Sequence, residues 1–149
     1  PGSRRHPHFS RETLSVSLEE DDIEYHWLEA LGGDRRRNQD DPPSPNRGVE
    51  NEGFRNYADY MGTDEFRQGV ARLMEIAGRV LPAIMCAEGD YWRCHRQLVS
   101  DYLVANGVIV QHIFPTGELK PHKLTPGAKV MDGTVTYPGP PTLFDMDGM

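Results

Sequence analysis

The chain's two cysteines, Cys86 and Cys94, lie in one stretch, CAEGDYWRCHR, over residues 86–96. His95 and Arg96 follow the second cysteine directly. The apolar run RVLPAIMC (79–86) before them reads as a central strand buried on both faces. Residues 92–105 read as a helix with Leu98, Val99, Tyr102 and Leu103 inward. The loop between them would face the free N–H groups and positive dipole end of that helix. That field lowers the pKa of a thiol and attracts an anion, to which Arg93 or Arg96 can add paired hydrogen bonds. Glu88 and Asp90 add carboxylates, and Asp90 could instead cap the helix.

Three readings fit these residue types. In the first, the loop is a catalytic site for an anionic substrate. Cys86 or Cys94 is then the nucleophile, Glu88 adds a carboxylate, and His95 is the acid or base, since histidine titrates near neutrality. In the second, Cys86, Cys94 and His95 hold a metal ion. The residues require no cofactor but admit this one. Adjacent helical residues point ~100° apart, so Cys94 and His95 can share an ion only where that turn is not yet helical. In the third, both cysteines pack as small core hydrophobes and His95 bonds a backbone carbonyl. A disulfide between the two cysteines is geometrically feasible but does not suit a reducing compartment.

The elements that would position this loop are legible in part. Ser10 can cap a helix with Leu14, Val16 and Leu18 on its apolar side. IEYHWL (23–28) reads as a strand stopped by Gly32-Gly33. Residues 33–53, with DPPSPN inside, form a long polar loop of the kind that serves as a lid or binding segment. FRNYADYM (54–61) reads as a short helix. Thr63 caps a stronger one, with Asp64 and Glu65 in its first turn and Phe66, Val70, Leu73, Met74 and Ala77 as its stripe. Asn106-Gly107 ends the helix after the motif. VIVQHI (108–113) reads as the next strand, giving a strand–helix–strand crossover. KVMDGTVTY carries Asp132-Gly133 between alternating runs, a hairpin signal.

These elements predict an α/β fold: a mostly parallel, Rossmann-like sheet flanked by helices, with a C-terminal hairpin. Residues 1–138 would be one domain and 139–149 an extended or disordered tail. The 149 residues suffice for one modest core. A net charge of −7 argues against broad, sequence-independent grip on nucleic acid. The basic runs SRRHPHFSR and DRRR remain as local patches or solvated faces. No stretch is apolar enough for a membrane span, and two cysteines without a secretory signal suggest the cytoplasm.

The segments PGSRRHPHF, YHWLEALGG, FRNYADYM, CAEGDYWRCHR and HKLTP…VTYP together resemble successive landmarks of the domain-of-unknown-function 488 family, from Pro1 to about Pro138. CAEGDYWRCHR is the most specific of them. The resemblance implies an α/β fold preceded by a strand with a Gly-His-Ser motif, a helix and a second strand. None of these is in the chain, so it is expected to be an N-terminally truncated member with exposed apolar edges. The family pattern also implies two polar clusters at strand ends. The first holds Arg4 and Arg5, with His6 or His8; the second holds Cys86, Glu88, Cys94, His95 and Arg96. Arg4, Arg5 and Arg96 would bind an anionic small molecule or a nucleic acid, with Glu29 a further candidate.

The tail PPTLFDMD supplies a different expectation. Leu143 and Phe144 resemble the apolar anchors by which short peptides dock on a sliding clamp, without the usual upstream glutamine. The expected function is therefore an enzyme-like pocket for an anionic, nucleotide or nucleic-acid substrate. The alternative is a non-catalytic phosphate-binding adaptor linked to DNA transactions through Leu143 and Phe144.

Overall fold

Thr63 starts the longest helix by accepting a hydrogen bond from the Phe66 amide at 3.3 Å. This is one contact in a computed structural model that describes residues 7–140. The helices are α1 (Arg11–Glu20), α2 (Glu52–Tyr60), α3 (Asp64–Ala77) and α4 (Arg96–Ala105). Single tight turns form at Pro7–Phe9, Glu29–Leu31 and Tyr91–Arg93. The strands are β1 (Gln111–Ile113), β2 (Leu119–Pro121), β3 (Lys129–Met131) and β4 (Thr134–Thr136). β1 pairs antiparallel with β2, His112 opposite Lys120, and β3 pairs antiparallel with β4, Val130 opposite Val135.

The core forms where α2, α3 and α4 meet β4. Asn51 caps α2 through its side-chain oxygen, which accepts from the Phe54 amide at 3.0 Å. One face of α2 then buries Tyr57, Ala58 and Tyr60. From α3 come Phe66, Val70 and Leu73, from α4 Leu98, Val99 and Leu103, and from the last strand and its end Val135 and Tyr137. Phe66 is the hub, edge-on to Tyr57, Tyr60 and Tyr102 at ring distances of 6.1, 5.9 and 5.0 Å. Gly69 lets α3 close on the Glu29–Leu31 turn, since a Cβ there would lie 2.9 Å from that of Ala30. In α3, Ile76 is buried in place of the expected Met74, which is exposed.

The mostly parallel sheet is overturned. Among the described residues the sheets are two small antiparallel hairpins, so the fold is mixed α/β without a Rossmann-like core. Residues 23–28 and 81–86 form no strand. The apolar run expected at the sheet centre is largely outside: Leu81 is 99% exposed and Met85 58%. VIVQHI contributes only its last three residues to a strand, and its partner follows it in sequence. A segment with alternative neighbours in sequence closes the shorter loop first.

Other expectations hold. α1 spans the residues following Ser10, although the Ser10 hydroxyl bonds Thr13 rather than capping the backbone, and the helix buries none of its side chains. The expected helix at 54–61 begins slightly earlier, at Glu52. The motif helix starts at Arg96 rather than 92, and its Gly107 adopts φ 82°. Asp132 and Gly133 both take positive φ, 51° and 77°, as a two-residue hairpin turn requires.

The long polar loop is pinned by one buried side chain. Asn46 accepts from the Tyr137 amide at 2.9 Å and donates to the Asp59 carboxylate at 2.7 Å. Ser44 donates to the same carboxylate oxygen at 2.6 Å.

Candidate functional site

Cys94 is extended (φ −141°, ψ 171°), and His95, with helical angles (φ −61°, ψ −12°), holds the position just before α4. The extended Cys94 frees the two side chains from the ~100° helical separation. The ligand-capable atoms of Cys86, Cys94 and His95 all lie within 4.8 Å of one another.

Arg96 organises the loop. Its Nε donates to Cys94 Sγ at 3.0 Å, and its backbone N–H donates to the same sulfur at 3.3 Å. Its Nη2 donates to the carbonyls of Glu88 and Gly89 at 2.6 and 3.2 Å. The Glu88 amide in turn donates to Cys86 Sγ at 3.3 Å. Glu88 thus enters through its backbone, and its carboxylate side is exposed. Asp90 does not cap a helix; it pairs with Arg93 at 3.7 Å.

The charges follow from these contacts. The neighbouring Cys86 thiol, then the hydrogen bonds from Arg96, outweigh burial and bring the Cys94 thiol down to about 6. Proximity to Cys94, together with burial, pushes Cys86 up. Cys94 is therefore the more acidic thiol of the pair. Burial, reinforced by Arg96 and Arg35, pushes His95 down, so its imidazole is neutral at neutral pH.

His95 is held from the other side by the Gly32-Gly33 turn. Its ring lies 5.1 Å from that of Tyr57, and a Cβ on Gly33 would come within 2.5 Å of its Nδ1. Tyr57 and Tyr60 fix this turn by donating to the carbonyls of Leu31 and Ala30 at 2.8 and 2.7 Å. Arg35 lies over the Tyr60 ring at 3.9 Å and bonds the carbonyls of Gly32 and Glu29. From the expected solvated run DRRR, Arg35 is thus partly buried beside the site. Glu29 participates through its carbonyl, and its side chain is exposed.

Residues 1–103 match the family model described as domain of unknown function DUF488. The chain belongs to that family. No curated protein and no solved structure matches it significantly. In this DUF488 chain the matched region ends within α4, so it contains the whole cysteine loop and stops before the hairpins. Of the other expected site residues, Arg4, Arg5 and His6 lie outside the described residues, as do Leu143 and Phe144. His8 lies in the Pro7–Phe9 turn, its ring 4.3 Å from Phe9.

Sequence reasoning missed a second polar cluster, all but Asp101 of it beyond the matched region. Asp101, His122, His112 and Tyr137 form a buried chain of hydrogen bonds, each 2.7 Å long. The His112 ring stacks on Tyr91 at 3.5 Å, so this chain abuts the cysteine loop. Both histidines lie outside the family motif, and only the β1–β2 register brings them together. The one available signal was Asp101, a carboxylate amid the apolar residues of α4.

Proposed function

We propose that this protein is a thiol-dependent enzyme in which the Cys94 thiolate attacks an electrophilic centre of an anionic substrate, with nucleotides and nucleic acids as candidate classes. The carrying observation is the pair of hydrogen bonds from Arg96 Nε and N to Cys94 Sγ. A thiolate, not a thiol, is the nucleophile, and a guanidinium whose Nη2 is anchored on two backbone carbonyls keeps its charge beside the sulfur. Cys86 supplies the thiol proton of the pair. His95, held neutral, is available to accept a proton. Arg4 and Arg5 would bind the substrate anion, and free thiols suit a cytoplasmic setting. Among the described residues, no helix is long and apolar enough to cross a membrane.

The convergence of Cys86, Cys94 and His95 within 4.8 Å favours a second reading, a metal site with three protein ligands. Three ligands leave a coordination position open for chemistry. Deprotonation of both thiols would then be driven by the ion.

The deciding experiment is elemental analysis of the purified chain beside the pH dependence of thiol alkylation, mapped by peptide. No metal, with Cys94 alkylated at an apparent pKa well below ~8.5, supports the thiolate enzyme. A stoichiometric metal lost on Cys94→Ser supports the metal site. No metal and two ordinary thiols would sink both readings and favour a binding module, with Leu143 and Phe144 as its anchors for a clamp-like partner.

A further inference from the structure

Asp101 is fully buried and His122 nearly so. Burial alone would push the Asp101 carboxyl up, but hydrogen bonds from His122, Tyr137 and Thr125 outweigh it and hold the group below its ordinary value. Asp101 is therefore a carboxylate, and a carboxylate only accepts. His122 Nε2 therefore carries a hydrogen toward Asp101 Oδ1 at 2.7 Å, and in the uncharged form of that ring Nδ1 is the acceptor. His112 Nε2 then donates to His122 Nδ1 at 2.7 Å, which leaves His112 Nδ1 with a lone pair. Tyr137 donates to the other carboxylate oxygen, and the Thr125 amide to Oδ1.

The open end of this chain meets Arg96, the guanidinium of the proposed thiolate site. His112 and Arg96 line one small cavity of about 20 Å³, bordered also by Gly89, Asp90 and Tyr91. That volume holds one water, and the walls supply polar partners. Tyr91 lies flat against His112, with the two rings 5° from parallel, and fixes the imidazole plane. Across β2, Lys120 stands opposite His112, and its ammonium lies 5.1 Å from the Phe114 ring.

We propose that His112, backed by His122 and Asp101, is the general base of this site, taking a proton from a water in the cavity beside Arg96. His112 Nδ1 accepts the water proton while the Nε2 hydrogen passes to His122 Nδ1. His122 becomes an imidazolium paired with the Asp101 carboxylate, and His112 ends neutral in its other tautomer. The relay explains why His112 can serve although burial, His122 and Arg96 bring its own pKa down to about 4: the proton does not stay there. The inference deepens the thiolate reading, and rests on it for the electrophile. With an acyl group on Cys94, the water oxygen bonds the acyl carbon as its proton leaves. The carbon–sulfur bond breaks, and its electron pair returns to Cys94 beside Arg96.

The test uses the full chain with p-nitrophenyl acetate as acylating probe and nitrogen-15 NMR of the imidazoles. NMR is expected to show both histidines as Nε2–H tautomers at neutral pH. Asp101→Asn should disturb both rings. His112→Gln should leave the p-nitrophenol burst intact and slow its subsequent turnover by about 100-fold or more. An Nδ1–H tautomer at His112, or unchanged turnover after an intact burst, overturns the relay. Absence of a burst in the unsubstituted chain counts against acylation of Cys94, and the tautomers then decide the relay alone.

Discussion

Arg96 Nε lies 3.0 Å from Cys94 Sγ and sits two residues further along the chain, so one extended residue and one capping residue fold the guanidinium back onto the sulfur. The same guanidinium ties down the carbonyls of Glu88 and Gly89. One side chain thus contributes to both thiolate stabilisation and loop geometry.

Replacing that side chain should separate the two roles. In Arg96→Gln, the Cys94 titration should move up from about 6 toward the ordinary thiol value of ~8.5. Thiolate ultraviolet absorbance, followed against pH, reads this without needing reagent access to the buried sulfur. An unshifted titration would mean that the Cys86 thiol, not Arg96, lowers the Cys94 value.

The thiol pair should also shape stability against pH. The folded Cys94 value of about 6 lies below the ordinary thiol value of 9.0. The unfolded chain therefore holds the extra proton between them, and stability rises with pH through that window. Cys86 is shifted the other way, so above about 9 the unfolded chain loses a proton that the folded chain keeps. Stability from the pair should therefore rise from pH 6, crest near 9, and fall beyond. Urea unfolding of the chain and of Cys86→Ser/Cys94→Ser across this range gives the difference curve; a flat one would mean the thiols titrate alike in both states.

Gly33 is a close-approach position rather than a flexible one. A methyl group there would meet His95 Nδ1 at 2.5 Å, so Gly33→Ala must displace the imidazole. A cost of about 1–3 kcal/mol is expected, as for overpacking, with a shift of the His95 resonances. Thermal melting beside NMR checks both, and undisturbed His95 signals would show that the turn, not the ring, gives way.

Tyr57→Phe removes a buried donor at 2.8 Å and strands the Leu31 carbonyl. The expected loss is about 1–3 kcal/mol. Because this bond anchors the turn against His95, the His95 resonances should broaden as well. Denaturant unfolding showing a change below about 0.5 kcal/mol would remove Tyr57 from the support of the site.

Much of the helical content was legible because its signals are local. Thr63 and Asn106-Gly107 mark helix ends, Asp132-Gly133 marks a turn, and Phe66, Val70 and Leu73 repeat at helical spacing. The cysteine loop was legible because its members are neighbours in sequence. RVLPAIMC was misread because apolar content does not name a partner: a strand exists only where a neighbouring strand takes its hydrogen bonds, and among the described residues no strand pairs with this run.

The sequence by itself determined which residues could carry the chemistry near Cys94: two thiols, an imidazole and a guanidinium within eleven positions, 86–96. Only the tertiary structure decided which thiol is the thiolate. That depends on the direction of one guanidinium, set by backbone angles at Cys94 and His95. Only it could join Asp101, His112, His122 and Tyr137, which are brought together by the pairing of β1 with β2 and the packing of α4 on β4. Sequence encodes local preference through short-range sterics and hydrogen bonds, whereas contacts between distant residues arise only when the chain closes on itself.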